Sequence, residues 1–177
     1  MGILCMPIRS VLGECAINAV EIRRGLSEEH MPALLDWANT GGPGFLKQFA
    51  GPKWRYPLTE AQVMAEVGGI FTIFADGAFA GIVQALYRRE NRAHIGRFLL
   101  DPGLRGTGIG ERALGRFCAM LFENETIDAV SLNVYRFNAP AIRCYAKCGF
   151  GPVPESGTGD PWDSCFMTLP RGAANPR

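Results

Sequence analysis

The chain has 177 residues, 47% of them hydrophobic, which is the size of one ordinary domain with apolar matter enough for a core that needs neither disulfides nor a metal. Eighteen Lys and Arg stand against 17 Asp and Glu, so a net charge of +1 excludes bulk electrostatic attraction to nucleic acid or to an anionic membrane. Six cysteines (Cys5, Cys15, Cys118, Cys144, Cys148 and Cys165) sit at irregular spacings in apolar segments, which excludes the dense framework of a secreted mini-protein and fits a reducing cytosol.

Residues 1–19 are fairly apolar, but Arg9 and Glu14 interrupt them, and no run reaches the roughly 18 apolar residues of a membrane span. Arg9 follows the first apolar stretch, whereas a signal peptide has its positive charge first. Met6 stands where a myristoylation sequence has Ser or Thr. The segment reads as an N-terminal extension of unassigned role ahead of a single domain over residues 20–169. Residues 170–177 read as a disordered tail.

Residues 19–23 alternate apolar Val20 and Ile22 with charged Glu21 and Arg23, the pattern of a half-buried strand. Ser27 is placed to cap a helix with Glu28 and Glu29 in its first turn and Met31, Leu34, Leu35 and Ala38 on one face, stopping at Gly41-Gly42-Pro43. Residues 44–57 are irregular and aromatic, a packed loop or broken helix. Thr59 and Gln62 form a capping box for a short helix through Val67. Residues 70–75 and 79–87 read as strands joined by a tight turn at Asp76-Gly77.

Residues 92–100 make a further strand, ended by Asp101-Pro102-Gly103. A glycine-rich turn follows, then a helix with Ile109, Ala113, Phe117, Met120 and Leu121 as its apolar stripe. Residues 129–135 read as a strand, Asn138 as the cap of a helix ended by Gly149-Phe150, and residues 164–169 as a last strand. This order gives an α/β fold with a mixed sheet.

The chemistry lies in Arg105-Gly106-Thr107-Gly108-Ile109-Gly110. Glycines at a helix start let backbone N–H groups approach a phosphate closely, and Arg105 and the Thr107 hydroxyl are placed to add contacts. A P-loop needs Gly-Lys-Ser/Thr, whereas Gly110 is followed by Glu111-Arg112. A dinucleotide fingerprint needs G-x-G-x-x-G directly after the first strand; here the glycines read G-x-G-x-G after a loop, late in the chain, although Asp128 stands near the place of the expected acid.

The six residues from Arg105 resemble the R-x-x-G-x-G/A pyrophosphate loop of the GNAT superfamily of N-acetyltransferases. Asn138, Ala141, Ile142, Tyr145, Gly149 and Phe150 resemble that family's later helix signature, one helix and one strand further on. The resemblance implies a GNAT-like, mostly antiparallel twisted sheet with helices on both faces and a central splayed strand pair. It implies acetyl-CoA as acyl donor, an amine of a small molecule or protein as acceptor, and no metal. In this likeness Arg105, Gly106, Thr107, Gly108, Ile109, Gly110 and Asn138 hold the coenzyme, backbone groups near Leu99 and Leu100 pair with pantetheine and polarise the thioester carbonyl, and Tyr145 protonates the leaving sulfur.

Many relatives carry a Glu on the strand before the loop; here His94 stands there, either a base or a packing histidine. Arg97 falls on the opposite face by alternation and reads as an ion-pair partner or surface charge without a catalytic role. For the acceptor, the family points to Phe45, Phe49, Trp54 and Tyr56, as pocket wall or satellite core, and to the region of Trp162. A cytoplasmic location and a homodimer fit the resemblance. A non-catalytic acyl-CoA-binding module is the competing reading.

Overall fold

The computed structural model describes residue 17, residues 19–154, residue 160 and residues 162–173; most of the N-terminal extension and the last four residues lie outside it. Strands β1 (Val20–Arg24), β2 (Ile70–Ala75), β3 (Ala78–Arg89), β4 (Arg92–Leu100), β5 (Ala129–Tyr135), β6 (Gly151–Pro152) and β7 (Ser164–Pro170) form one sheet in the order β1-β2-β3-β4-β5-β7-β6. Every pairing is antiparallel except β4 with β5. The mixed, mostly antiparallel sheet expected above is therefore present. Asp76 and Gly77 take φ of 47° and 81°, the left-handed pair that turns β2 back into β3.

The helices are α1 (Met31–Thr40), α2 (Gly42–Ala50), α3 (Glu60–Met64), α4 (Ile109–Phe122) and α5 (Ala139–Lys147). Three local expectations change. Ser27 makes no side-chain cap; it precedes a 3-10 turn over Glu28–His30, and its hydroxyl donates to Glu29. The Gly42-Pro43 pair starts α2 instead of merely ending α1, because proline at a first helical turn gives up only an N–H that has no partner there. Thr59 accepts from the Gln62 N–H, but the Gln62 side chain leaves the capping box for Arg55 and the Pro57 carbonyl, tying down the loop before α3.

Two apolar cores lie on opposite faces of the sheet. Under α4 and α5 are Ile73, Val83, Ile95, Val130, Leu132, Phe117 and Leu114. Under α1 and α2 are Met31, Leu34, Leu46, Trp54, Ile70, Ile82 and Leu99. Full burial of one such Phe or Leu stabilises by about 1.5–3 kcal/mol, so these two layers dominate folding.

The site depends on where β4 loses its neighbour. Its parallel pairing with β5 runs from Arg92↔Ala129 to His94↔Ser131 and then stops. On the other side, β3 and β4 pair as Gln84↔Gly96 and Ile82↔Leu99, which leaves Val83 opposite both Arg97 and Phe98. That two-for-one bulge centres on Arg97, at φ 49°, and bends β4 away from β5. The splayed strand pair expected from the resemblance is thereby built.

Candidate active site

The loop before α4 is shaped by Gly106 and Gly108, with φ of 78° and 79°, values that a side-chain-bearing residue adopts at a cost. Within the described residues the N–H groups of Gly106, Gly108, Ile109 and Gly110 donate no hydrogen bond: Gly106 lies in the open loop, and the other three belong to the cap and first turn of α4, which have no carbonyls behind them. Four amides at the positive end of α4 are thus available to an anion. Thr107 departs from expectation: its hydroxyl donates to the Leu104 carbonyl at 2.7 Å, so it stiffens the loop from within.

These residues open onto a cavity of about 1040 Å³ that runs from the loop into the gap between β4 and β5. Arg105, Arg143 and Lys147 bring positive charge to its wall, and Glu111 is the acidic residue there among the described residues, paired with Lys147 at 2.6 Å. Asn138 caps α5 by accepting from the Ala141 N–H and also lines the cavity. Such a groove, with free amides and cations at one end and apolar Leu132, Val134 and Phe98 further in, fits a diphosphate followed by a long, weakly polar arm.

Consecutive peptide groups along a strand face alternate sides. Asp101 N donates to Ala80 O at 2.9 Å, and the Leu99 carbonyl presses so closely on Gly81 that a Cβ there would collide with it. Residues 99 and 101 thus address β3, and Phe98 and Leu100 turn their backbone groups into the gap. Leu99 itself belongs to the core under α1 and α2. Phe98, Leu99 and Leu100 all line the cavity, and the bulge adds Phe98, which the sequence reading did not name, to the gap-facing backbone.

Tyr145 lines the same cavity from α5. Burial, with the neighbouring Cys144 and Cys148 adding, raises its phenol far above the ordinary value, so it remains a proton donor at any working pH. Cys148 donates to the Glu111 carbonyl at 3.4 Å and helps hold α5 against α4.

His94 is buried and does not line the cavity wall. Its ring stacks on Tyr87 at 4.7 Å and lies parallel to Phe166 at 6.2 Å. Nδ1 lies 3.0 Å from the Ser131 Oγ, and Nε2 lies 3.4 Å from Nδ2 of Asn133, which does line the cavity. Burial lowers its pKa below 6.5, keeping the ring neutral at pH 7.

Arg97 shares His94's face, against the expectation from alternation, because the bulge puts Gly96 and Arg97 on one side in succession. Its guanidinium is buried and donates to Gln84 Oε1 at 2.6 Å and Glu66 Oε2 at 3.4 Å, so it is an ion-pair partner. The four acceptor aromatics divide. Phe45 and Phe49 line the cavity; Trp54, at 3% exposure, is core; Tyr56, at 48%, is exposed outside the cavity wall. Trp162 forms a separate cluster with Tyr135 and Phe137, and Lys47 of α2 sits over its ring at 3.9 Å.

The model of the acetyltransferase (GNAT) family matches residues 31–150. The chain belongs to the GNAT family. Its activity is accordingly transfer of the acetyl group of acetyl-CoA to an amine.

Solved GNAT-fold structures resemble it over almost its whole length. RimL, a ribosomal L7/L12 alpha-N-protein acetyltransferase in complex with coenzyme A, superposes with a TM-score of 0.70 at 19% identity, covering 90% of this chain and 98% of RimL. The aminoglycoside acetyltransferase AAC(6')-Ib, bound to coenzyme A and kanamycin, gives 0.66 at 21% identity over 88% of this chain and 96% of that one. Spermidine N-acetyltransferase from Vibrio cholerae, bound to CoA and spermine, gives 0.68 at 14% identity over 87% and 96%. Sequence reasoning missed several residues of this GNAT cleft besides Phe98, among them Arg143 and Lys147 of α5. Gln48 would have needed α2 to be recognised as a helix, and Asn133 reads as a solvent-facing strand residue until β5 is known to line a gap.

Proposed function

We propose that the protein acetylates a primary amine of a small molecule or protein, admitted beside Phe45 and Phe49 and attacking the thioester directly. The observation that carries this reading is convergence: the four free amides of the loop, the gap-facing backbone of β4 and the Tyr145 side chain all open on one cavity. Bound acetyl-CoA supplies the activated acetyl group. The amides of Gly106, Gly108, Ile109 and Gly110, with Arg105 beside them and Asn138 across the groove, hold its diphosphate. Phe98 and Leu100 orient the pantetheine arm, and an N–H there receives the charge that develops on the carbonyl oxygen.

The amine nitrogen forms the new bond to the carbonyl carbon as the carbon–sulfur bond breaks, and Tyr145 gives its proton to the departing thiolate. The proton shed by the amine passes to His94 Nε2 through solvent beside Asn133, and then to bulk water, from which Tyr145 recovers its own. The free thiols Cys118, Cys144, Cys148 and Cys165 support a reducing, cytoplasmic setting.

The test is incubation of the full chain with acetyl-CoA and a panel of peptide N-termini, lysine peptides, polyamines and aminoglycosides, following thiol release. Amine-dependent release is the expected result. Tight CoA binding by calorimetry without release from any amine would replace the catalytic reading with a binding module.

A further inference from the structure

The geometry points to Arg97 as a positioning residue that ties the segment following α2, residues 50–66, to the bulge of β4 and so sets where the gap-facing amides stand against the thioester. This rests on the role given above to the backbone of Phe98 and Leu100.

Arg97 is the residue at which β4 kinks, and a non-glycine residue at φ 49° persists only where its surroundings over-determine it. Its side chain, 2% exposed, supplies that constraint. One nitrogen donates to Gln84 Oε1 of β3 at 2.6 Å and to Glu66 Oε2 at 3.4 Å. Nε reaches the Ala50 carbonyl at the end of α2 at 3.5 Å, and the guanidinium lies 4.2 Å from the centre of the Trp54 ring. The partners are themselves joined: Gln84 Nε2 donates to the Glu66 carbonyl at 2.6 Å, and Lys53 Nζ lies 3.3 Å from the Glu66 carboxylate. The Lys53 hydrogen bond foremost, with Arg97 assisting, holds Glu66 below the usual carboxylate range, so the anchor is ionised at neutral pH.

Two facts separate this from an ordinary buried ion pair. Arg97's own ψ orients the peptide that carries the Phe98 N–H, so a change in its tether turns that N–H. Trp54, on which the guanidinium stacks, also packs edge-on against Phe49 at 6.3 Å, and Phe49 lines the cavity. An acceptor seated beside Phe49 therefore presses, through Trp54 and Arg97, on the backbone group that polarises the carbonyl.

The experiment uses Arg97→Met, Arg97→Lys and Glu66→Gln in the full chain, with kcat, KM for acetyl-CoA, CoA affinity by calorimetry, and the infrared carbonyl stretch of bound carbon-13 acetyl-CoA. For Arg97→Met the expected result is kcat lower by about 10- to 100-fold, with CoA affinity and KM within about twofold and the carbonyl stretch moved back toward its value in water. Arg97→Lys recovers part of kcat, since an ammonium reaches Gln84 or Glu66 but lacks the fork and the stacking plane. Wild-type kcat in folded Arg97→Met overturns the proposal. So does loss of kcat and CoA affinity together with the carbonyl stretch unchanged, the mark of a merely structural anchor. If Arg97→Met does not fold, the surface change Glu66→Gln decides: kcat reduced severalfold sustains the proposal, and unchanged kcat overturns it. A wild-type protein that shows no carbonyl shift on binding acetyl-CoA would instead remove the reading on which the proposal rests.

Discussion

His94 Nδ1 lies 3.0 Å from the Ser131 hydroxyl across the last parallel rung before β4 and β5 part. Ser131 Oγ is itself 3.5 Å from the Ala93 carbonyl, so the hydroxyl donates there and accepts from the ring. That assignment puts the His94 proton on Nδ1 and leaves the Nε2 lone pair facing Asn133, on the cavity side. Tyr87 from β3, Asn133 from β5 and Phe166 from β7 surround the ring with no full charge, and Arg92 stands beyond Phe166. Burial depresses the His94 pKa below 6.5, so the neutral form predominates at pH 7 and the acid limb of kcat/KM falls below pH 6.5. In His94→Gln that limb disappears and kcat drops by about 10- to 100-fold. A pH–rate profile of the two proteins checks this, and an unmoved limb would make His94 a packing residue.

The same depression has a consequence for stability. The unfolded chain binds the His94 proton more tightly than the folded one, so the contribution of the neutral ring is whole above pH 6.5 and is lost as pH falls through the lowered folded value. Urea midpoints of the wild type should therefore decline between pH 6.5 and pH 5 more steeply than those of His94→Gln.

Tyr145→Phe keeps the ring packed against Phe150 and removes only the hydroxyl. If that hydroxyl protonates the thiolate, kcat falls by about 100- to 10,000-fold while CoA affinity by calorimetry stays within about twofold. Since burial keeps the phenol protonated, the wild-type rate shows no alkaline loss from Tyr145 up to pH 10. Full turnover by the variant assigns the acid elsewhere.

Legibility in the sequence followed local determination. Strands β2 and β4 end where Asp76-Gly77 and Asp101-Pro102 break their patterns, β5 ends just before the Asn138 cap, and the caps at Thr59 and Asn138 act at the predicted places. Phosphate-loop glycines are equally local, because positive φ and close approach are properties of single residues. What the sequence hid is relational. Arg97 and Phe98 change role through a bulge defined by the partner strand, and Trp54 and Tyr56 differ in burial although each is an aromatic beside a basic residue. Neither property belongs to a periodicity.

Phe117 anchors the core beneath α4, fully buried and 5.0 Å from the Phe71 ring. Phe117→Ala removes that packing and opens a cavity, with an expected loss of about 3–5 kcal/mol in urea unfolding. A loss below 1 kcal/mol would mean that α4 is not fixed to the sheet there.

Two glycines of the loop allow backbone strain and coenzyme contact to be read separately. Gly108 holds φ 79°, where an added Cβ costs about 1–2 kcal/mol whatever is bound, so Gly108→Ala lowers both the melting temperature and CoA affinity. Gly110 lies in the first turn of α4, and a Cβ there meets Cys144 Sγ at 3.4 Å and Leu100 Cδ1 at 3.5 Å, ordinary contacts that the fold accommodates. Alanine also favours the helix by about 0.8–1 kcal/mol, so Gly110→Ala holds or raises the melting temperature. The loop pattern that residues 105–110 resemble admits alanine at the place of Gly110, and the methyl group points at Cys144 and Leu100 of the fold, so CoA affinity stays within about twofold. Loss of CoA affinity in Gly108→Ala with Gly110→Ala unchanged therefore reports the left-handed turn at Gly108 as what holds the loop amides toward the diphosphate, and wild-type affinity in Gly108→Ala would overturn that reading.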